Sequence, residues 1–260
     1  MTGRLQLEGL TVRFGGVVAV RDVSLTVAPG EIRGLIGPNG AGKTTVINAV
    51  TGAVARIQGR VLLDGKQISG DASYRIGRQG VGRTFQHVEP FNEMTVLENV
   101  MVGIGHHHRI AFWKAALDTP SAQRIERDAT AFAMTTLEAF GLLPYRNERA
   151  SSLPFGVLKR MDLARALAAR PTLLLMDEPT SGMSESEADA AIATARELAE
   201  QRSITLLVVE HNMRVMMALA DRITVMQDGA VVAEGTPDEI QRNRTVIDAY
   251  LGEETADAGR

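Results

Sequence analysis

Apolar and polar residues alternate in the first third of the chain, which is the period of β-strands joined by tight turns. Residues 23–27 (VSLTV) alternate before a Pro-Gly turn, and residues 31–36 (EIRGLI) form a short run that leads into a glycine-rich loop. Residues 43–51 then predict a helix, and residues 64–65 (Asp-Gly) predict the turn of a further hairpin. The first third therefore predicts mainly strands.

From Thr95 to about Ala169 the pattern changes to the period of an α-helix. Residues of one predicted helical face recur there at spacings of three and four, and they are Ile125, Ala129, Phe132, Thr136 and Phe140. His106, His107 and His108 lie near the start of this segment. Because adjacent residues of a helix point in different directions, these histidines make poor joint metal ligands, and we predict a solvated loop there.

The last third returns to apolar runs of strand length that are separated by helical segments. Residues 173–176 (LLLM) and 204–209 (ITLLVV) predict two buried strands. Ser184 and Glu187 have the capping-box spacing that begins a helix, and His211 is expected to start the helix after the second strand. Strands that alternate with helices predict a mainly parallel sheet covered on both faces, with the helical segment inserted as a subdomain.

Composition adds limits to this picture. The 260 residues have ordinary apolar (45%) and charged (23%) fractions for a soluble globular protein, with a net charge of −3. Because the chain carries no net positive charge, we do not expect nucleic acid as a partner. The chain has no cysteine, which excludes disulfides and fits a reducing cytoplasm. It shows neither a signal-peptide pattern nor an apolar run of membrane-spanning length, so we expect any membrane role to depend on a membrane partner.

The glycine-rich loop carries the first chemical motif. Residues 37–44 (GPNGAGKT), the phosphate loop, match G-x-x-x-x-G-K-[ST] between a predicted strand and a predicted helix. Backbone N–H groups of such a loop point at phosphates, while Lys43 would neutralise the β- and γ-phosphates and Thr44 would ligate Mg²⁺. An ordinary glycine-rich turn is the alternative that this context disfavours. The predicted nucleotide-binding residues of the segment are Gly37, Pro38, Asn39, Gly40, Ala41, Gly42, Lys43, Thr44 and Thr45.

Two acids, Asp177 and Glu178, follow the apolar strand of residues 173–176. Like charges at a strand end are unfavourable unless a cation offsets them, and Mg²⁺ would do this for Asp177. Glu178 is then placed to orient and polarise the water that attacks in phosphoryl transfer. The alternative is a pair of solvated acids in a loop, which the neighbouring phosphate loop disfavours.

With these motifs, the sequence resembles the nucleotide-binding subunits of ABC transporters over nearly its whole length. Gln86 is similar to the family's glutamine that senses Mg²⁺ and water and faces the membrane partner. His211 is similar to the switch histidine that contacts the γ-phosphate, and Phe14 to the aromatic residue that stacks on adenine. The resemblance implies ATP and Mg²⁺ as cofactors. It implies Glu178, His211 and Gln86 as catalytic residues and Thr44, Gln86 and Asp177 as metal ligands.

The family's signature element, usually Leu-Ser-Gly-Gly-Gln, departs from that form here. Leu153, Pro154, Phe155, Gly156 and Val157 stand in its place. The proline removes a hydroxyl and the valine removes an amide. The resemblance still implies that residues 153–156 contact a nucleotide, and we expect the following helix to begin near residue 159.

Several local features are similar to the ATPases of branched-chain amino acid importers. They are the Leu-Pro-aromatic-Gly signature element, the Gly-Arg-Thr-Phe-Gln stretch that ends at Gln86, the long helical segment predicted around Trp113, and the chain end from Gly235 to Gly252. The implied function is to bind and hydrolyse ATP for import of branched-chain amino acids or a related small polar solute. The implied partners are two transmembrane permease subunits, a second ATPase subunit in a homo- or heterodimer, and indirectly an external solute-binding protein. The implied place is the cytoplasmic face of a bacterial or archaeal cell membrane.

The resemblance also implies the architecture. The expected fold class is α/β, a P-loop NTPase (RecA-like) core with an N-terminal antiparallel β subdomain and an inserted α-helical subdomain. The nucleotide-binding domain is expected over residues 1–240, with the helical subdomain at about residues 95–169. Residues 241–260 are expected to form a tail of the branched-chain amino acid transporter type.

Two other kinds of ABC ATPase are alternatives. A lipopolysaccharide-export ATPase would be expected to keep an ordinary signature element and a shorter helical segment. A non-transport ABC ATPase usually carries tandem cassettes or long coiled-coil insertions, and this sequence has neither. A nucleotide sensor without hydrolysis is disfavoured because Glu178 and His211 are both in place.

Overall fold

The computed structural model describes most of the chain in two compact units. Its described residues are 2–84, 88–104, 120–244 and 246. The first unit carries both β-sheets and spans residues 1–83, 172–179 and 199–260. The second unit is helical and spans residues 84–171 and 180–198. Gln86, the three histidines, Trp113 and the predicted tail, apart from residues 241–244 and 246, lie outside the described residues.

An antiparallel sheet forms the N-terminal part of the first unit. Its spatial order is β2-β1-β4-β5, and its strands are β1 (Leu5–Phe14), β2 (Val17–Val27), β4 (Ile57–Leu63) and β5 (Lys66–Gln67). Residues 23–27 of β2 alternate between buried and exposed, as predicted. The two-residue turn between β4 and β5 is the predicted Asp-Gly turn.

A second, mainly parallel sheet follows the order β10-β9-β3-β8-β7-β6. Its strands are β3 (Ile32–Ile36), β6 (Val81–Arg83), β7 (Leu173–Asp177), β8 (Thr205–Val209), β9 (Arg222–Gln227) and β10 (Ala230–Gly235). Only the β9–β10 pair is antiparallel among the pairings of this sheet within the described ranges. Every residue of β3, β7 and β8 is buried, because a parallel sheet is covered on both faces.

The helices complete both units. In chain order they are α1 (Lys43–Val50), α2 (Ser73–Arg78), α3 (Val96–Ile104), α4 (Pro120–Ala139), α5 (Phe155–Ala168), α6 (Glu185–Arg202), α7 (Met213–Leu219) and α8 (Pro237–Gln241). Short 3₁₀ turns lie at Leu143–Tyr145 and Ala150–Ser152. The apolar face of α1 packs into the core that the two sheets share, and this fixes the helix directly behind the phosphate loop.

In the second unit, α3, α4 and α5 pack together. The predicted face of α4 is confirmed at Ala129 and Thr136, which are buried. Gly103 brings α3 close to α5, since a Cβ there would overlap the carbonyl oxygen of Arg165. In the part of the chain that the structure describes, no helix is long and apolar enough to cross a membrane.

Two predicted helix starts are wrong. α5 begins at Phe155 rather than near residue 159, because Pro154 has an extended backbone (φ −59°, ψ 151°) and its carbonyl already accepts from the N–H groups of residues 157 and 158. α7 begins at Met213, and His211 lies before it. The side chain of Asn212 accepts hydrogen bonds from the N–H groups of residues 214 and 215, which makes Asn212 the N-cap.

Candidate nucleotide-binding site

The phosphate loop connects the carboxyl end of β3 to the first turn of α1. Gly42 has φ 96° and is the N-cap of α1. A Cβ at Gly37 would overlap the carbonyl oxygen of Met226, and a Cβ at Gly42 would overlap that of Ala19. Glycine is therefore required at both positions. Since the first N–H groups of a helix lack intrahelical partners, the loop ends at donors that suit an anion.

Lys43 turns back over the start of this loop. Its Nζ donates to the carbonyl oxygen of Gly37 at 2.6 Å and to that of Pro38 at 2.9 Å. These contacts fix a positive charge beside the N-terminus of α1. The arrangement concentrates a cation and helix N–H donors where the sequence predicts phosphate binding.

Asp177 ends β7 and is 1% exposed. Both of its carboxylate oxygens are buried, and within the described residues neither accepts a hydrogen bond of good geometry. Burial raises the pKa of Asp177; Arg83, Lys43 and the Thr44 hydroxyl act to lower this pKa, whereas Glu178 raises it further. A buried carboxylate whose oxygens are not saturated by donors is suited to a cation, and carboxylate and hydroxyl oxygens are ligands that Mg²⁺ accepts.

Glu178 follows in the left-handed region of the backbone, with φ 49°. Its N–H donates to the carbonyl oxygen of Val209 at 2.9 Å, which holds this unfavourable conformation at the end of the sheet. The Glu178 Oε1 atom lies 3.9 Å from Nδ1 of His211, whose side chain is 63% exposed. The structure thus brings together two of the three predicted catalytic side chains, at a distance longer than a hydrogen bond.

Arg83 and Asn48 also lie at this site, although no sequence motif predicts a role for them. The Nη2 atom of Arg83 lies 3.5 Å from Oδ2 of Asp177, and its Nη1 donates to Oδ1 of Asn48 at 2.7 Å. Arg83 ends β6, which pairs with β7 and so places this side chain next to Asp177. The sequence feature that could have indicated a role for Arg83 is its place as the basic residue of the Gly-Arg-Thr-Phe-Gln stretch.

Glu210 is a second residue without a predicted role. It is buried directly after β8 and directly before His211. Its Oε2 lies 3.5 Å from the N–H of Asn212, at the limit of a hydrogen bond. The signal in the sequence was an acid at the end of an apolar strand, the same pattern that identified Asp177.

Phe14 lies in the first unit at the end of β1. It pairs with Val17 across a two-glycine turn, and it is 53% exposed. A large aromatic ring with this exposure has a face available for stacking on a base, which is the role that the sequence resemblance predicts.

The signature element lies in the second unit. Leu153 is buried, Pro154 is exposed as the N-cap of α5, and Phe155 is 49% exposed. Val157 is buried in the first turn of the helix, so its side chain packs inside this unit instead of facing outward. The outward residues of the element are therefore Pro154 and Phe155.

Comparisons with known proteins agree with this geometry. The profile of the ABC transporter family matches residues 20–181. A profile described as branched-chain amino acid ATP-binding cassette transporter matches residues 230–256. The high-affinity branched-chain amino acid transport ATP-binding protein BraF of Pseudomonas aeruginosa is 41% identical over 249 residues, which cover 96% of this chain and 98% of that protein.

Solved structures of ATP-binding cassettes are similar over almost the whole chain. The ADP conformation of MJ1267, a cassette of an ABC transporter, has a TM-score of 0.81 and 29% identity, and the match covers 97% of this chain and 100% of that one. A dimeric post-hydrolysis state of the cassette MJ0796, bound to ADP and Pi, has a TM-score of 0.75 and 25% identity, with coverage of 90% and 98%.

These similarities confirm the predicted α/β fold of the P-loop NTPase class. They also favour the branched-chain amino acid group over the lipopolysaccharide-export and non-transport alternatives. The chain belongs to the ABC transporter family and, within it, to the branched-chain amino acid transport ATP-binding proteins.

Proposed function

We propose that this chain binds ATP with Mg²⁺ and hydrolyses it to energise import of branched-chain amino acids or a related small polar solute. The observation that carries the proposal is the arrangement at the carboxyl ends of β3, β7 and β8. The phosphate loop, Asp177, Glu178 and His211 follow these neighbouring strands, and ligands of open α/β sheets bind at this edge.

The phosphate loop and Lys43 would hold the triphosphate. Lys43 already lies against the loop carbonyls, so its charge is fixed before any nucleotide arrives. The N–H groups at the start of α1 add uncharged donors. Phe14 would stack on adenine, and its half-exposed ring supports that role.

Thr44 and Asp177 would hold Mg²⁺, with Gln86 as a further ligand by family resemblance. Their fit rests on Asp177, whose buried oxygens lack well-aligned donors among the described residues. When bound, the ion supplies positive charge that stabilises the phosphate oxygens. The chain's own part is to fix the carboxylate at the strand end and the hydroxyl in the first turn of α1.

Glu178 would orient the attacking water and accept its proton, and His211 would contact the γ-phosphate. The left-handed backbone of Glu178 and its hydrogen bond to Val209 support this role, because they fix the direction of the carboxylate. Gln86 is the third catalytic residue that the resemblance assigns.

In a dimer with a second ATPase subunit, the signature element of each subunit would complete the nucleotide site of the other subunit. The exposure of Pro154 and Phe155 supports an outward-facing element, and the dimeric state of the cassette MJ0796 is similar to the assembly that we propose. Two permease subunits would anchor the pair at the cytoplasmic face of the membrane, and an external binding protein would deliver the solute. The similarity to BraF, a branched-chain amino acid transport ATP-binding protein, supports the choice of solute.

Uptake measurements in the source organism test the whole proposal. Deletion of the gene should reduce uptake of labelled leucine, isoleucine and valine, and the wild-type chain should restore uptake. Lys43→Ala should fail to restore it. Lys66→Ala is the matched control, because Lys66 is an exposed lysine of the same unit outside the site. Unchanged uptake of all three amino acids after deletion would show that the solute class is wrong.

A further inference from the structure

Phe155 of the signature element makes two contacts inside the second unit. One side of its ring lies on Gly182, since a Cβ added at Gly182 would be 2.5 Å from Cε1 and 3.1 Å from Cδ1 of the ring. The Nζ atom of Lys159 is 5.8 Å from the ring centroid, within the range of a cation–π interaction. The ring is half exposed, yet it is fixed by the loop that follows Asp177 and Glu178.

The next residue, Gly156, approaches the first turn of α6, the helix that follows this loop. A Cβ added there would lie 2.7 Å from Oε1 of Glu187. Glu187 is itself fixed, because its Oε2 accepts from the N–H of Ser184 at 3.0 Å and from its hydroxyl at 2.6 Å. This capping box begins α6, so the signature element packs against the rigid first turn of a helix.

We propose that Phe155 is a positioning residue that pre-organises the signature element by packing on Gly182. The contact of Gly156 with Glu187 holds the same element at a second point. The proposal rests on the proposed function, in which the element docks on a nucleotide held by the partner ATPase. Pro154 provides neither a hydroxyl nor an N–H for that contact. An element that is already ordered loses less conformational freedom on docking, which offsets part of the missing hydrogen bond.

Amide hydrogen exchange across residues 153–158, which all have an N–H except Pro154, tests the packing directly in the isolated chain. Phe155→Leu should raise exchange there about 2- to 10-fold, since the flat ring and the cation–π contact are lost. Phe155→Tyr keeps the ring and should exchange like the wild type. Tyr74→Leu is the matched control, because Tyr74 is also an exposed aromatic with cationic neighbours but lies in the first unit. Unchanged exchange in Phe155→Leu would overturn the proposal.

Gly182→Ala provides an independent variant. The new Cβ would push the ring away, so exchange in residues 153–158 should rise in the wild-type background. The increase should be smaller when Phe155 is already leucine, because the two changes disrupt one contact. Fully additive increases would show that Phe155 and Gly182 do not act together, which would overturn the proposal.

ATP-dependent association with the partner ATPase tests the role. In a Glu178→Gln background, Phe155→Leu should weaken association and Phe155→Tyr should preserve it. If Phe155→Leu loosens the element but association is unchanged, the positioning role is wrong while the proposed function stands. If Glu178→Gln protein with an intact Phe155 shows no ATP-dependent association, the composite site of the proposed function is wrong, and the role of Phe155 falls with it.

Discussion

Asp177→Asn should make the nucleotide-free protein more stable while removing its response to Mg²⁺-ATP. The carboxylate is 1% exposed and accepts no well-aligned hydrogen bond within the described residues. A buried acceptor left in this state costs about 1–3 kcal/mol, and more when it is charged, although Arg83 at 3.5 Å offsets part of the cost. Asparagine keeps the shape without the charge.

Because asparagine still buries an amide oxygen, it removes only the extra cost of the charge, and the expected gain is on the order of 1 kcal/mol, which corresponds to a Tm increase of about 2–4 °C for a protein of this size. The pKa of Asp177 is raised in the folded protein, chiefly by burial. Its contribution to stability is therefore greatest below the pKa of the unfolded chain and is lost as the pH rises through the folded pKa. The Tm difference between Asp177→Asn and wild type should be full at pH 7 and should shrink as the solution becomes acidic.

Thermal unfolding in EDTA, and again with Mg²⁺-ATP, measures both effects. Asp64→Asn is the contrasting control, since burial acts to raise the pKa of Asp64 but its hydrogen bonds with Thr2 and with the N–H of Arg4 leave that pKa lowered. That variant loses a charge-assisted bond, so its Tm should fall. With Mg²⁺-ATP, wild type should gain stability by ligand binding and Asp177→Asn should gain much less. A lower Tm for Asp177→Asn in EDTA would refute the reasoning, because it would mean that the apoprotein already satisfies this carboxylate.

Substitutions at three further positions probe the rest of the account. Lys43→Ala should abolish tight ATP binding in a nucleotide titration, and Lys43→Arg should bind but hydrolyse more slowly, because it keeps the charge without the compact geometry; wild-type affinity in Lys43→Ala would contradict this. Gly37→Ala should lower both Tm and ATP affinity, since its Cβ meets the Met226 carbonyl, whereas Gly77→Ala meets nothing and should do neither. Pro154→Ser should strengthen ATP-dependent association of Glu178→Gln protein with the partner ATPase, because a charge-assisted bond to phosphate contributes about 1.5–3 kcal/mol; unchanged or weaker association would favour a turn that proline already stiffens.

The sequence alone predicts those parts of the site that depend on local pattern. The phosphate loop is recognisable because glycine is sterically required at fixed positions of the motif. At Gly37 and Gly42 a Cβ would overlap a backbone carbonyl oxygen. The strand before Asp177 was predictable because a fully buried strand is continuously apolar. Each of these two signals lies within a few consecutive residues of the sequence.

Contacts between distant segments were not predictable in the same way. The pairing of Arg83 with Asp177 depends on β6 lying beside β7, which no local pattern states. The burial of Val157, in contrast, is predictable from the sequence. Val157, Met161 and Ala164 have helical spacing and are all buried, so the apolar face of α5 already extended to its first turn.

The two wrong helix starts have one physical cause. Residues around Pro154 and Gly156 have low helix propensity, and His211 directly follows a strand. The helix propensities of the residues therefore do not show where either helix begins. What decided them was capping geometry. An extended proline precedes α5, and the side chain of Asn212 takes the first N–H groups of α7.

ATP turnover by the chain assembled with its partner ATPase and permease subunits tests the central claim most directly. Glu178→Gln should bind ATP in the assembly but hydrolyse it about 10²–10⁴-fold more slowly than wild type, because the amide keeps the shape of the side chain without acting as a base. Glu138→Gln, at an exposed glutamate of α4, should turn over normally. Turnover near the wild-type rate in Glu178→Gln would contradict the account, because the attacking water would then be activated by another group.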